Sequence, residues 1–465
     1  MRLQRLATYR LIRMLRAVLP VIVVILVGIP ARNYWISRIN ANSPEPKVVP
    51  PAADVSVQTN ELSFTRKENG RIVFHLTSKE HLLFKDNRST FREVTVVISG
   101  EKPGDFDRII SGNQGVYDKD TGDIHFTGNV NAQLDATTAA HTERLIYNNH
   151  DRVITSPVRT HVEQPGEMNG DADRLEYLIA PELLRLAGDV GMQMSNGEAL
   201  HADVGEFHKK ENWTAVSGDV YLEASNGWLR GATGHAELTP GTYRPTIVTI
   251  DGDVRSESRN AETSDILKTR SSNLVSVLSP GSSVQRAAIQ RLFAKGDVQA
   301  EQTSKGELQT ITGAEVDALL DDHGHVDTME VRQPTAPYAK VITTTLPDSG
   351  APNAKNEGSD RKLISQMIHI KSDGVVTNPD RSVTNATTVT TTLNSKLESG
   401  DSMTITGSAF HIVQSETRKG AASTSTVRFD TKDRAKLESV NNDSGKRISS
   451  ADTTSMVFNG NTNEL

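Results

Sequence analysis

A short motif, Gly followed by Asp or Asn and then Val, recurs five times and limits the chain to a repetitive fold. It occurs in the stretches FTGNV, LAGDV, VSGDV, IDGDV and AKGDV, with glycines at Gly128, Gly188, Gly218, Gly252 and Gly296. Each stretch alternates like a β-strand, and a glycine inside a strand usually marks a bulge or a bend. Repeating one bend at one place curves a sheet in a single direction, so the motif predicts a stack of bent strands.

A second strand completes each repeat. It begins with a small residue and then alternates, as in AHTERLIYN (140–148), GDADRLEYL (170–178) and LHADVGEFH (200–208). The copy RVITSPVRTHV has lost its Gly-Asp pair. Because a hairpin of about 30 residues cannot bury its apolar face alone, such units must stack. We therefore expect an open, twisted β-jellyroll or solenoid with an apolar trough.

The rest of the sequence also indicates an all-β chain. Apolar residues make up 36% and aromatic residues 5% of 465 residues, which suits several half-solvated β modules better than a thick helical core. Stretches rich in β-branched residues include RIVFHLTS (71–78), REVTVVIS (92–99) and TVRFDT (426–431). The best helical candidate is VQRAAIQRLFAKG (284–296), which we interpret as strand.

No motif indicates catalysis, a metal or a cofactor. The formal charge of -7 argues against a nucleic-acid partner, and the absence of cysteine excludes disulfides and cysteine-based sites. The nearest ligand cluster is DDHGHVD, with Asp321, Asp322, His323 and His325, but it lies where the repeat places a turn. We interpret it as a solvated loop and expect no catalytic residue, no metal site, no cofactor and no enzymatic activity.

The N-terminal segment has the features of a membrane anchor. Residues 17–31, AVLPVIVVILVGIPA, are uncharged, five arginines precede them, and Tyr34 and Trp35 follow. This order predicts a single-pass helix with its N-terminus in the cytoplasm. A cleaved signal peptide is the alternative, and either interpretation exports the rest of the chain. The Pro-rich residues 42–53 predict an extended spacer.

Period-two alternation around the glycines defines one apolar face. Two interpretations of this face stay open: an ordinary closed core, or the wall of a groove that remains accessible to a lipid. Flexible Met side chains favour an adaptable surface. The candidate trough-lining residues are Val130, Leu134, Leu145, Tyr147, Leu175, Tyr177, Val190, Met192, Met194, Val220 and Leu222.

The order of anchor, spacer and repeats resembles lipopolysaccharide-transport proteins of Gram-negative bacteria. The anchor and residues 61–194 resemble LptC, on ELSFTRKENGRIVFHLTS, FREVTVVIS, GVYDKDTGDIHFTGNVNAQL and DADRLEYLIAPELLRLAGDVGMQM. Residues 273–336 resemble the OstA/LptA repeat domain. LptC proteins usually carry one jellyroll, and this chain adds a second. It also stops at Leu465 without a closing Gly-x-Val strand, which indicates truncation or an unusual cap.

The resemblance implies an all-β architecture of two stacked, open, twisted β-jellyrolls behind a single transmembrane helix. The expected divisions are 1–38 for the cytoplasmic N-terminus and anchor, 39–54 for the spacer, 55–260 for an LptC-like jellyroll and 261–465 for an OstA/LptA-like jellyroll. Polar insertions are expected near 344–360 and 381–393.

The resemblance also implies a function in outer-membrane biogenesis. Anchored in the inner membrane with its bulk in the periplasm, the chain would receive lipopolysaccharide from an inner-membrane ABC transporter. It would hold the acyl chains in its trough and pass the molecule to an LptA-like or LptD-like jellyroll stacked on an edge strand. The alternative is a membrane-anchored envelope β-solenoid acting as a scaffold or adhesin. A signalling regulator and a carbohydrate-processing β-helix enzyme are weaker alternatives.

Overall fold

The computed structural model describes the chain from residue 55 to residue 459 with gaps. The described residues are 55–68, 70–85, 88–100, 102, 104–241, 244–259, 266–279, 289–304, 307–321, 326–345, 361–377, 383–399, 403–419, 422–440 and 447–459. The predicted anchor (1–38) and spacer (39–54) lie outside them. Within the described ranges, no helix has the length and apolar character needed to cross a membrane.

All regular structure in the described residues is β-strand, which confirms the all-β prediction. The first half contains β1 (Val55–Glu68), β2 (Arg71–Phe84), β3 (Ser89–Ile98), β4 (Arg108–Tyr117), β5 (Ile124–Gln133), β6 (Ala139–Asn148), β7 (Val153–Ser156), β8 (Thr160–Gln164), β9 (Met168–Ala172), β10 (Arg174–Leu178), β11 (Leu183–Met194), β12 (Ala199–His208), β13 (Trp213–Ala224), β14 (Gly227–Leu238) and β15 (Pro245–Arg259). The second half contains β16 (Ile266–Leu278), β17 (Ile289–Ser304), β18 (Glu307–Leu320), β19 (Val326–Arg332), β20 (Ala339–Thr345), β21 (Arg361–Ser365), β22 (Met367–Thr377), β23 (Val383–Thr391), β24 (Ser395–Ser399), β25 (Met403–Gly407), β26 (Phe410–Lys419), β27 (Ala422–Val440) and β28 (Arg447–Asn459).

The strands form one antiparallel ladder in which most strands are bent into two arms. From β2 to β6 and from β11 to β18, each strand pairs with the next along both arms. Elsewhere two shorter strands share one rung, as when β7 and β8 both pair with β6. We call the arm containing Ala132 and Met192 arm 1, and the arm containing Tyr147 and Leu184 arm 2.

The Gly-Asp motif forms the bend, as its repetition predicted. All five glycines have φ between 77° and 84°, and the Asn or Asp after each has φ between 46° and 48°. At Gly188 and Asp189 the register jumps from Ala187 to Val190, while the facing strand moves only from Val204 to Ala202. Two residues thus oppose one, which is a β-bulge, and the bulge turns the strand from one arm into the other.

Where the motif is missing, buried hydroxyl groups occupy the bend. In the copy interrupted by Pro157, Thr160 Oγ1 donates to Ser156 Oγ (2.7 Å) and Thr142 Oγ1 lies 3.0 Å from the same oxygen. A second cluster joins Thr391 and Ser395 at 2.6 Å, and Ser395 donates to Ser365 at 3.2 Å. Three hydroxyls therefore satisfy one another, and nearby carbonyls, where the strand breaks. This second cluster belongs to the sheet formed by the Thr-rich tract, because Val383–Thr391 is β23 and pairs with β22 and β26.

Apolar side chains form two buried clusters. The first runs from Val73 to Met192 and the second from Ile250 to Ala435. The predicted boundary between residues 260 and 261 falls on the link between β15 and β16, which pair through eleven residue pairs. The sheet therefore continues across this boundary, although the apolar core consists of two separate clusters. The division into two jellyrolls stays a prediction.

Candidate functional site

Cross-strand register aligns the inward-facing residues into one long row on each arm. On arm 1, successive partners begin at Leu76 and continue through Val96, Ile110, Ala132, Ala140, Val162, Gly170, Met192, Leu200, Leu222, Leu229, Ser256, Thr269, Ala300, Ile311, Val341, Leu363, Leu397 and Ile405. The row is apolar except at Ser256 and Thr269, whose hydroxyls lie 2.6 Å apart. Because side chains on one face share a period of two, arm 1 presents an apolar strip to the interior that is interrupted at Ser256 and Thr269.

Arm 2 carries a matching row. It passes through Ile124, Tyr147, Ile154, Tyr177, Leu184, Phe207, Thr214, Ala236, Val248, Ser276, Leu292, Ala318, Met329, Ile370, Val389, Ile412 and Phe429. The two rows face each other across the bend and supply both buried clusters. They are the walls of the predicted trough.

The candidate trough-lining residues all face this interior but differ in exposure. Eight belong to the first buried cluster: Val130, Leu134, Leu145, Tyr147, Leu175, Tyr177, Val190 and Met192. Val220 is also buried. Only Met194 and Leu222 are half-buried. In this structure the trough from β5 to β11 is therefore filled by its own side chains, and its contact with lipid stays a prediction.

The interior is more accessible from β12 to β15. Inward residues that are half-buried here are Leu200, Phe207, Val216, Leu222, Leu229 and Val248. The inward positions of β14 include Gly231 and Gly234, and β12 contributes Gly205. At Gly231 and Gly234 the side chains of Ile250 and Val216 lie directly against the glycine backbone, so these glycines allow neighbouring strands to pack closely. We call this part, β12 to β15, the open stretch.

The prediction missed most of the open stretch. Leu200, Phe207 and Leu229 were not among the candidate residues, although they align directly with Met192, Leu184 and Leu222. Alternation alone could not show that this stretch is more accessible than the rest, because the apolar residues of a closed core and of an open groove both recur with a period of two.

A concavity of about 410 Å³ lies on the same strands, close to their bend. Its lining combines the polar residues Glu206, Ser217, Thr233, His235 and Asp251 with Val204, Ala215 and the inward residues Val216 and Gly234. Glu206 is already engaged, because Arg185 Nε donates to its carboxylate at 3.0 Å.

The two arms are bridged at their tips, on the side of the trough that we call the mouth. Arg152 Nη2 in the turn after β6 donates to the carbonyl of Ser99 after β3 at 2.8 Å. Lys209 Nζ in the turn after β12 lies 2.7 Å from Asp135 Oδ2 in the turn after β5. Each contact joins an arm 2 residue to an arm 1 residue, so polar groups hold the mouth closed over the filled part of the trough.

Burial and neighbouring charges determine the ionisation of Asp135 and Tyr177 at the mouth. Burial alone would raise the pKa of Asp135, but the Lys209 ammonium, together with hydrogen bonds from Lys209 and Thr137, lowers it below the ordinary value. The Asp135 and Lys209 side chains are only 12% and 10% exposed, so this attraction is little screened. Burial also raises the pKa of Tyr177 to about 12, against the opposing effect of Arg108. Asp135 is thus a carboxylate and Tyr177 a neutral phenol at neutral pH.

The described residues offer no metal-binding group of three or more His, Asp or Glu side chains. Of the sequence cluster DDHGHVD, Asp322, His323 and His325 lie outside the described residues. His141 and Glu163 form a pair on the outward face at 3.2 Å, with both side chains largely solvated. Nothing in these contacts pairs a nucleophile with a base.

Comparison with known proteins supports the resemblance in the N-terminal part. Residues 21–193 match the family model LptC, described as lipopolysaccharide-assembly, LptC-related. No curated protein matches the chain. Among solved structures, LptH, the LptA-homologous periplasmic component of the lipopolysaccharide transport device from Pseudomonas aeruginosa, aligns at 15% identity and a TM-score of 0.23, covering 36% of this chain and 94% of its own. The predicted resemblance to LptC is confirmed over the matched residues.

Proposed function

Because residues 21–193 are LptC-related, we propose that this chain carries lipopolysaccharide across the periplasm without catalysing a reaction. It receives the lipid from an inner-membrane ABC transporter, shelters the acyl chains between its arms and passes the molecule to the next jellyroll. An N-terminal helix anchors it in the inner membrane. The observation that carries the proposal is the pair of inward rows, which are apolar at most positions and half-buried along the open stretch.

The energetics favour acyl chains as the occupant. Each CH₂ group moved from water into an apolar groove gains about 0.8 kcal/mol, so a fatty acyl chain gains free energy when it enters the open stretch. The half-buried residues Leu200, Leu222 and Leu229 offer the first contact, because they need the least rearrangement. From there the chains extend along the rows toward both ends of the sheet. A scaffold or adhesin would also bury apolar rows, but it has no need of inward residues that stay half-buried, as in the open stretch.

The ends of the ladder support a stacked arrangement. Among the described strands, β1 pairs only with β2 and β28 only with β27. Such edges present free backbone N–H and C=O groups, to which the edge strand of another jellyroll can pair. In the proposal, the β1 edge meets the transporter and the β28 edge meets an LptA-like or LptD-like jellyroll. The inward rows would then continue from one protein into the next.

A charge placed on the inner wall tests the proposal. Leu222→Glu points a carboxylate into the open stretch, whereas Tyr221→Glu places the same charge on the outward face one residue away. We expect Leu222→Glu to weaken binding of fluorescent lipopolysaccharide to the full chain at least tenfold, with Tyr221→Glu close to wild type. Equal binding by both variants would refute an internal lipid site.

A further inference from the structure

A buried arginine with no acidic partner lies at the mouth of the trough. Arg108, at the start of β4, is 4% exposed and faces inward on the same side of the strand as Ile110. Its Nη1 donates to the carbonyl of Phe106 at 3.1 Å, and its Nη2 lies 3.5 Å from the Tyr177 hydroxyl on the other arm. Its Nε is buried and has no hydrogen-bond partner among the described residues.

A second arginine reaches the same place from the opposite arm. Arg152 donates through Nη2 to the carbonyl of Ser99, and Ser99 directly follows Ile98, the register partner of Arg108. Its Nε is also buried without a hydrogen-bond partner in the described part of the chain. Arg152 has φ of 55°, similar to Glu182 (52°) and Asn212 (59°), which also stand directly before a strand, so this conformation belongs to the turn of the repeat.

Neighbouring carboxylates do not neutralise these two charges. Neither arginine forms an ion pair within the described residues. Asp107 accepts the Gly100 N–H at 3.0 Å, and Asp135 is held by Lys209. Arg108 is buried and Arg152 is half-buried, and a guanidinium group withdrawn from water is unfavourable unless an anion joins it.

We propose that Arg108 and Arg152 bind a phosphate group at the mouth of the trough. Arginine offers a planar fork of donors that matches phosphate oxygens, and the two unpartnered Nε groups supply donors that the protein leaves unused. This inference rests on the proposed function: the ligand is an amphiphile whose acyl chains lie between the arms while a phosphate monoester on its headgroup pairs with the arginines. The site would fix how deeply the lipid inserts between the arms and would keep its headgroup at the mouth.

The test compares lipopolysaccharide with the same material after phosphatase removal of its lipid A phosphates, with inorganic phosphate as a third ligand. Losing one charge-assisted contact should weaken binding of the phosphorylated form by about tenfold or more. We expect Arg152→Gln to cause that loss and to leave the dephosphorylated form unaffected. Arg92→Gln, an exposed arginine on the outer face of β3, is the matched control and should change neither affinity. Circular dichroism and thermal melting verify folding, and Arg108→Lys provides a second variant that keeps the charge but loses the fork.

The outcomes separate the two proposals. Wild-type preference for the phosphorylated lipid, lost in Arg152→Gln, supports the site with a lipid headgroup as its ligand. Tight binding of inorganic phosphate that is also lost in Arg152→Gln supports the site with a free anion as its ligand. Equal affinity of the wild type for both lipid forms, together with no binding of inorganic phosphate, overturns the phosphate site but leaves the trough intact. Failure to bind either lipid form contradicts the proposed function itself.

Discussion

Gly188 and Asp173 lie against each other at the bend of the ladder, where the Asp173 N–H donates to the Gly188 carbonyl at 2.8 Å. A Cβ atom added to Gly188 would lie 2.9 Å from Asp173 Oδ2 and 3.0 Å from its Cβ. The glycine therefore does two things at once: it adopts φ of 77° and it lets the neighbouring strand approach closely. The four other motif glycines also have positive φ and face Asn113, Asp203, Ala232 or Ser272 in the same way.

Replacing Gly188 with Ala should destabilise the protein by about 2 kcal/mol or more. A left-handed conformation alone costs an L residue roughly 1–2 kcal/mol, and the contact with Asp173 adds to this. Gly191→Ala on the same strand is the control, because φ there is not positive and a Cβ would meet His201 only at an ordinary 3.6 Å. Chemical denaturation measures the free energy of unfolding of both variants. Similar losses for the two variants would show that the bend does not depend on glycine.

The ion pair at the mouth should make stability depend on pH. Asp135 has a lowered pKa in the folded chain, so its contribution is complete above the ordinary aspartate pKa of 3.8 and is lost as the pH falls through the folded value. Asp135→Asn should destabilise the protein at pH 7 by about 3 kcal/mol, as for other buried pairs that lose one partner. It should also flatten the acid limb of the stability profile.

The exposed pair Lys79 and Glu93 provides the comparison for that experiment. Both side chains are at least 66% exposed, so Lys79→Gln should change stability by less than about 1 kcal/mol. Urea denaturation from pH 3 to pH 7 gives the two profiles. An Asp135→Asn variant whose acid limb matches that of the wild type would mean that this carboxylate does not couple to folding.

The hydroxyl cluster at the Pro157 break should contribute about as much to the stability of the protein as a glycine bend does. Thr160→Val keeps the shape of the side chain but removes the donor to Ser156 Oγ and to the carbonyl of Val158. An unpaired buried polar group costs about 1–3 kcal/mol, and thermal or urea unfolding should show a loss in that range. Thr155→Val, which faces outward on β7, should stay within about 0.5 kcal/mol of wild type. If the two variants were equally stable, the hydroxyl cluster would not be what stabilises the bend.

Much of the fold could be predicted from local pattern. The glycine motif specified where each rung bends, because positive φ at an Asp or Asn after a glycine is a local property of the backbone. The alternation specified which side chains face inward, since a strand has a period of two. Both conclusions used only residues close together in the sequence.

The mouth could not be predicted in this way. Asp135 and Lys209 are separated by 74 residues and lie in turns that follow different strands, so no local pattern connects them. The same holds for Arg108 and Tyr177, 69 residues apart. Exposure could not be predicted from local pattern either. Met192 and Leu222 lie in one row with Leu200 between them, yet Met192 is buried and Leu222 is half-buried.

The most direct measurement is photo-crosslinking of lipopolysaccharide to the full chain in cells. A benzophenone amino acid replaces Leu222 on the inner row and, in a matched variant, Tyr221 on the outer face. We expect lipopolysaccharide adducts at position 222 and none at 221, with weaker adducts at the buried position 192. Adducts at 221 equal to those at 222, or none at any inward position, would contradict an internal trough for lipid.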